Sequence, residues 1–320
     1  MTESRSDIPR VTLGSSDLEV SQLSLGGNVF GWTADEAGSF AVLDAYAAAG
    51  GNFVDTADVY SAWVPGNTGG ESETVLGAWL RSRGNRDGIV VATKVGSHPE
   101  LSGLRASTIK RGAEESLRRL GVERIDLFYT HRDDLDTPVE EIVTALDELV
   151  REGKVRALGA SNIGPDRLAA SLELAAREGL AGYVAVQPRY HLLARDYEDE
   201  LAPVVARYGL AAAPYSALAS GFLTGKYRPG GGPVDSARAV GAARYLEDPR
   251  GPRVLAAVER VAGAHGVEPA TVALAWLASR PTVAAPIASA RTVAQLAPLV
   301  AAAGLVLTEQ DLTELDAASA

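Results

Sequence analysis

The sequence predicts an α/β fold: a (β/α)8 TIM barrel with an N-terminal β-hairpin and a long loop after strand 7. Three observations carry that expectation. Short apolar, strand-like runs alternate eight times with longer amphipathic stretches. Strands separated by helices must pair in parallel, because each crossover returns the chain to the same edge, and eight such units can close into a ring. The fingerprint G-x-G-x-x-G, which the competing doubly wound sheet needs for a dinucleotide, is missing where it would be required. The 320 residues are read as a single barrel domain with an ordered core of about 11–318, a length barrels commonly reach.

Val11 to Val20 alternates around Gly14-Ser15-Ser16-Asp17 and reads as the hairpin. Leu23 to Gly26 is the first strand, and Thr33-Ala34-Asp35-Glu36 reads as a capping box opening the first helix. Phe53 to Thr56 is a buried strand, followed by a helix from about Glu71 to Arg83. Ile89 to Thr93 leads to Lys94, and Ser107 is the expected cap of the next helix. Ile125 to Tyr129 leads to Thr130-His131, with a second capping box at Thr137-Pro138-Val139-Glu140. Val155 to Gly159 leads to Ser161-Asn162, Tyr183 to Val186 to Gln187, and Leu210 to Ala213 to Pro214-Tyr215-Ser216. The helices between them run from Pro165 to Gly179 and from about Asp196 to Gly209. Ser216 to Pro252 is too long for an ordinary connection and reads as a functional loop. Val254 to Ala264 and Pro269 to Ser279 are helical, and Thr282 to Ile287 is the last strand.

Composition excludes several classes of function. The formal charge is −11 and no basic patch dominates, which argues against nucleic acid or an anionic membrane as a partner. There is no cysteine, so disulfides, thiolate catalysis and cysteine-ligated metals are excluded. Met1 to Arg10 lacks the apolar core of a signal peptide. The uncharged run Thr292 to Thr308 falls short of the roughly 20 residues of a membrane span. A soluble cytoplasmic protein is the expectation.

The chemistry sits at strand ends. Asp55, Lys94 and His131 each close a successive strand, and Tyr60 follows Asp55 by five residues. A tyrosine with its ordinary pKa of about 10 is a poor proton donor at neutral pH. A nearby ammonium favours the phenolate, a carboxylate keeps that ammonium charged, and a neutral imidazole can orient a carbonyl oxygen. Together the four make an acid that protonates a carbonyl oxygen as a hydride reaches its carbon. Singly each has a plainer reading: a turn aspartate, a loop aromatic, a structural ion pair, or a strand-end histidine beside Asp133 and Asp134. The specificity lies in one group per strand end on one barrel face. No metal site is expected.

Several stretches resemble the aldo-keto reductases, in particular the bacterial and channel-β-subunit-like branch. The likeness runs from about Val11 to Leu315 and rests on motifs in the family's order. These are Gly51-Asn52-Phe53-Val54-Asp55-Thr56-Ala57 with Tyr60, Gly70-Glu71-Ser72-Glu73, Ala92-Thr93-Lys94, Asp126-Leu127 through His131, and Gly159-Ala160-Ser161-Asn162. Gln187-Pro188-Arg189-Tyr190 follows, then Pro214-Tyr215-Ser216-Ala217-Leu218-Ala219-Ser220-Gly221 with Leu223-Thr224-Gly225-Lys226-Tyr227.

The resemblance implies Tyr60 as general acid, tuned by Lys94 and Asp55, with His131 orienting the carbonyl. It also implies NADPH (NADP+) held without a Rossmann domain. Ser161, Asn162 and Gln187 would bind the carboxamide and Tyr215 would stack on the nicotinamide. Ser216, Leu218, Ser220, Gly221 and Lys226 would pass the pyrophosphate, and Arg238 would close over it. Gly27, Asn28 and Asp55 would border the cofactor from the first strands, and Ile287, Ser289, Arg291 and Gln295 from the last. An arginine at a helix N-terminus suits a 2′-phosphate, which favours NADPH over NADH.

Three positions depart from the family pattern. His191 replaces an asparagine, Ala217 replaces a proline, and Pro298-Leu299 stand near the expected adenine-contacting Glu-Asn pair. Val29, Trp32 and Trp63 are the expected walls for a small carbonyl substrate, with Phe30 also considered. A cofactor-binding regulatory subunit is the alternative function. A barrel hydrolase would need a second strand-end acid beside Asp55.

Overall fold

The computed structural model describes residues 8–228, 230–231, 234 and 236–320. The expectation for Met1–Arg10 falls mostly outside them, as do four positions of the loop after the seventh strand.

Eight parallel strands form one curled sheet: β1 (Ser24–Gly26), β2 (Phe53–Asp55), β3 (Val90–Val95), β4 (Ile125–Thr130), β5 (Val155–Ser161), β6 (Tyr183–Gln187), β7 (Ala211–Ala212) and β8 (Ile287–Ala288). Each pairs with its neighbour in chain order, and β8 returns to pair with β1. The ring closes between β7 and the segment before β8. Ala212 N donates to Thr282 O at 2.7 Å, and Ile287 N donates to Pro214 O at 2.9 Å. The last strand was expected over Thr282 to Ile287; it is only Ile287–Ala288, with a lone bridge at Val283. Pro281 and Pro286 have no N–H to give to a ladder and so break up the strand.

Alternation along the strands sorts two cores. Phe53, Val90, Ala92, Leu127, Tyr129, Ala157, Ala185 and Ile287 fill the barrel, joined by Leu13, Leu18 and Val20 from the N-terminus. Val54, Val91, Phe128 and Val186 face the surrounding helices. With period two, Asp55, Lys94 and Gln187 fall on the same inner side as Phe53, Ala92 and Ala185. Arg10–Thr12 and Glu19–Ser21 pair antiparallel ahead of the barrel. Gly14, at φ +57°, lies where a Cβ would stand 2.2 Å from Val184 O. Tyr46 is fully buried, and its hydroxyl donates to Leu23 O at 2.6 Å, tying the outer helix to the start of β1. Gly51 is required beneath it, since a Cβ there would meet the ring at 2.2 Å.

The helices from Glu71, Pro165, Asp196 and Pro269 begin where the sequence places them, but three others begin at other residues than their capping motifs mark. α1 (Glu36–Ala48) is capped by Asp35, whose Oδ1 accepts from Gly38 N at 2.8 Å. Thr33 is not its cap, because Thr33 N is still bonded to Val29 O in the preceding turn. α2 spans Glu71–Arg83. α3 (Ala106–Leu120) starts before Ser107; its first N–H is taken by Glu141 Oε1 at 2.9 Å. α4 (Val139–Arg151) has Pro138 at the cap position, and Thr137 instead donates to Asp134 Oδ2 at 2.7 Å. α5 spans Pro165–Glu178. The helix expected from Asp196 to Gly209 is two pieces, α6 (Asp196–Glu200) and α7 (Ala202–Arg207), because Pro203 cannot continue the hydrogen-bond ladder. The chain then runs through α8 (Ala239–Glu247), α9 (Arg250–His265), α10 (Pro269–Ala278), α11 (Val293–Ala301) and α12 (Glu309–Ser319). Among the described residues no single helix is long and apolar enough to cross a membrane.

Candidate active site

Parallel pairing puts the C-terminal ends of all eight strands on one face, and the register aligns them. Gly26 lies beside Asp55, Asp55 beside Ala92, Lys94 beside Tyr129, and Ser161 beside Gln187. The face opens into a cleft of about 1180 Å³.

Lys94 is fully buried at the cleft floor, and its ammonium has three partners. It donates to Asp55 Oδ2 at 2.8 Å, Thr56 O at 2.7 Å and Tyr60 Oη at 2.9 Å. Burial alone pulls the Lys94 ammonium below its usual pKa, and the Asp55 carboxylate opposes that pull. Three well-placed acceptors are what a buried ammonium requires to stay charged. Tyr60 reaches across Asp55 to the cleft, its Oη 3.2 Å from Asp55 Oδ2. Its phenol was expected to be lowered by Lys94. In the structure it is raised well above 10, first by burial and then by the Asp55 carboxylate. Tyr60 is therefore held in its protonated, donating form. The His131 ring lies edge-on to Tyr60 with centroids 6.1 Å apart. Burial and the Lys94 charge push the imidazole down to about 3, so it is neutral at physiological pH. Its Nδ1 is buried with no hydrogen-bond partner among the described residues.

Gln187 does something its position in the sequence does not announce. Its Nε2 donates to Asp55 Oδ1 at 2.8 Å, so the two oxygens of Asp55 are shared between Gln187 and Lys94. Ser161 Oγ donates to Gln187 O at 2.9 Å, and Asn162 Nδ2 donates to His131 O at 2.9 Å. Tyr215 Oη donates to Asn162 Oδ1 at 2.7 Å, which fixes the ring over this amide row. Asn162 and Ser216 both take positive φ, the left-handed region in which single residues re-aim a strand end into the cleft.

The cleft wall includes Asn28, Val29, Trp32, Ser216, Leu218, Ser220, Gly221, Lys226, Arg238, Ile287, Ser289, Arg291 and Gln295. Three expected positions do not line it. Lys94 lies behind Tyr60. Gly27 is packed into the loop base, where a Cβ would stand 2.8 Å from Ser72 Oγ. Trp63 is half-exposed at the rim, stacked edge-on with Trp32 at 5.5 Å and with Tyr60 at 6.2 Å. Arg238 Nη2 and Ser289 Oγ both donate to Asn28 Oδ1, at 2.9 and 2.7 Å, so the residue before α8 is tied to the ends of β1 and β8. The stretch expected as one loop, Ser216 to Pro252, contains a short 3-10 helix at Ala219–Thr224, all of α8 and the start of α9. Arg291 N donates to Gln295 Oε1 at 2.9 Å, in the turn that opens α11. The cleft wall also includes Ala270, Thr271, Ala294 and Ala301, which no motif marked, and Pro298, which stands near the expected adenine-contacting positions.

The family model for the aldo/keto reductases matches residues 22–320. The chain belongs to the aldo/keto reductase family. Among curated members of wider likeness is a protein of Oryza sativa called a probable voltage-gated potassium channel subunit beta. It is 37% identical over 289 residues, covering 87% of this chain and 86% of that protein. The uncharacterized oxidoreductase YrpG of Bacillus subtilis is 34% identical, with 95% and 94% covered. The norsolorinic acid reductase stcV of Emericella nidulans is 33% identical, with 96% and 80% covered. As an aldo/keto reductase family oxidoreductase, the chain carries its polar strand-end groups on the face where barrels of this kind bind ligands.

Proposed function

We propose that the protein reduces an aldehyde or ketone carbonyl to an alcohol, using NADPH and with Tyr60 as the general acid. The observation that carries this is the continuous contact from Asp55 through Lys94 to Tyr60 Oη at the floor of an open cleft, with a neutral His131 beside it. The cleft suits a dinucleotide in size and donor set. Its volume exceeds the 300–1,000 Å³ typical of a drug-sized site. Amide and hydroxyl groups of Ser161, Asn162 and Gln187 line the cleft with Tyr60, and so do Lys226, Arg238 and Arg291, Arg238 close enough for its charge to act on the Tyr60 phenol. These would hold the carboxamide, the pyrophosphate and a 2′-phosphate, in that order, with Tyr215 against the nicotinamide ring.

When bound, the cofactor supplies a hydride to the carbonyl carbon. The protein supplies the proton. As charge grows on the carbonyl oxygen, Tyr60 Oη donates its proton there. The phenolate left behind is stabilised by the Lys94 ammonium at 2.9 Å, and Asp55 balances that ammonium. A neutral His131 gives a ring N–H to the same oxygen and fixes its direction. Val29 and Trp32, with Trp63 at the rim, offer an apolar wall for the substrate's body. The setting we propose is a single-domain cytoplasmic enzyme.

The test is NADPH and NADH binding by fluorescence, followed by oxidation on adding 4-nitrobenzaldehyde and a small ketone panel. Tyr60→Phe is expected to keep NADPH binding and to lose turnover by about 100-fold or more, the usual contribution of a positioned acid. Binding without turnover in the wild type would favour the other reading, a cofactor-binding regulatory subunit. The likeness to a probable channel β subunit is what recommends that reading.

A further inference from the structure

Four cations line the cleft: Arg132, Lys226, Arg238 and Arg291. Three belong to the cofactor end of the proposed function. Arg132 does not. It follows β4, and in the strand order of the ring β4 stands opposite β8, the strand that precedes Arg291. It is the next residue after His131 and borders the cleft where the carbonyl would sit.

Its surroundings leave it without an ionic partner. The two residues that follow are acids, and both are committed elsewhere. The Asp133 carboxylate accepts from Arg167 Nε at 3.1 Å. Asp134 accepts from Leu104 N at 2.8 Å, Thr137 Oγ1 at 2.7 Å and Asp136 N at 3.1 Å. The backbone on either side is pinned, His131 O by Asn162 Nδ2 and Asp133 N by Asn162 O. Arg132 is exposed and, among the described residues, forms no ion pair, the acids beside it in the chain being engaged by other partners. Arg189, exposed after β6, makes one side-chain hydrogen bond among the described residues, to Tyr245 Oη at 2.9 Å. Both guanidinium groups act on the Tyr215 phenol, opposing the upward push of its burial.

We propose that Arg132 selects carbonyl substrates that carry a carboxylate. The inference rests on the reductase reading above and names the substrate class for that site. The carbonyl sits at Tyr60 and His131, and the carboxylate meets the guanidinium of Arg132, the residue next to His131, with Arg189 adding to the local field. A planar guanidinium matches a carboxylate with two parallel hydrogen bonds. A net charge of −11 repels anions at long range, so a cation at the cleft mouth is a local feature that favours one.

The experiment compares 4-carboxybenzaldehyde with its neutral methyl ester, methyl 4-formylbenzoate, as substrates with NADPH. The wild type is expected to favour the carboxylate in kcat/KM by about tenfold, mostly through KM and less so at high salt. Arg132→Ala should collapse the carboxylate-to-ester ratio by about tenfold, and Arg132→Lys should restore part of it. A wild-type preference for the ester, or an Arg132→Ala variant that leaves the ratio intact, overturns the proposal while the reductase reading stands. Turnover of neither aldehyde overturns both.

Discussion

Gln187 Nε2 lies 2.8 Å from Asp55 Oδ1, joining residues 132 apart in sequence and four strands apart in the barrel. Lys94 holds the other oxygen of the same carboxylate. Asp55, almost fully buried, is thus fixed from both sides, and the ammonium it balances is fixed with it. This geometry suits Gln187 to a positioning role for the Lys94–Tyr60 contact, which the following variants test.

Replacing Gln187 by leucine removes the donor and leaves Asp55 Oδ1 buried and unpaired. A hydrogen bond to a charged group contributes about 1.5–3 kcal/mol. The expected result is a loss of about tenfold or more in kcat and a lower thermal midpoint. Gln187→Asn, too short to reach, should behave alike. Steady-state kinetics with 4-nitrobenzaldehyde and a melting curve check both. A Gln187→Leu enzyme with wild-type kcat refutes the role.

Arg291 opens the turn into α11, and its backbone N–H is already taken by Gln295, leaving the guanidinium to the cleft. Arg291→Ala is expected to raise the dissociation constant for NADPH by about ten- to 100-fold, since a phosphate held by an arginine is a strong charge-assisted contact. NADH binding should change by less than about twofold. Fluorescence titration of both nucleotides measures the split, and equal losses for both would remove the 2′-phosphate assignment.

Asp58 is buried beside Lys94, and among the described residues its carboxylate makes no hydrogen bond of good geometry, with only the Gly96 and Val59 N–H groups nearby. Burial, followed by the charge of Glu73, pushes its carboxyl up to about 7, with Arg119 opposing. Glu73 is itself paired with Arg119 at 2.6 Å. The unfolded chain loses this proton near pH 4. Between about 4 and 7 the folded protein therefore binds more protons than the unfolded one, and stability falls as pH rises through that window. Asp58→Asn should flatten the fall and leave the variant more stable than the wild type at pH 8. Urea midpoints at pH 5, 6, 7 and 8 decide it; parallel curves for the two proteins count against an ionising Asp58.

The arrangement of the site was largely present in the primary structure. Eight alternations of strand and helix dictate parallel pairing, and parallel pairing dictates that Asp55, Lys94, His131 and Ser161 share one face. What the local signals missed were helix starts and the last strand. The side chains at Thr33 and Thr137 have the right chemistry for a cap, but turns made earlier in the chain had already taken those residues. Pro286 cut short a strand whose apolar run looked continuous.

By itself the sequence determined the barrel, the order of polar groups around its mouth and the absence of thiol chemistry, because each follows from residue type and periodicity. Only the tertiary structure decided how those groups are paired. That Gln187 spends its amide on Asp55, that the Tyr60 phenol is raised by burial and by Asp55, and that burial and Glu73 raise the Asp58 carboxyl all depend on distances between strands far apart in the chain. Desolvation and charge pairing act through space, and no pattern along one strand encodes which partner lies across the barrel.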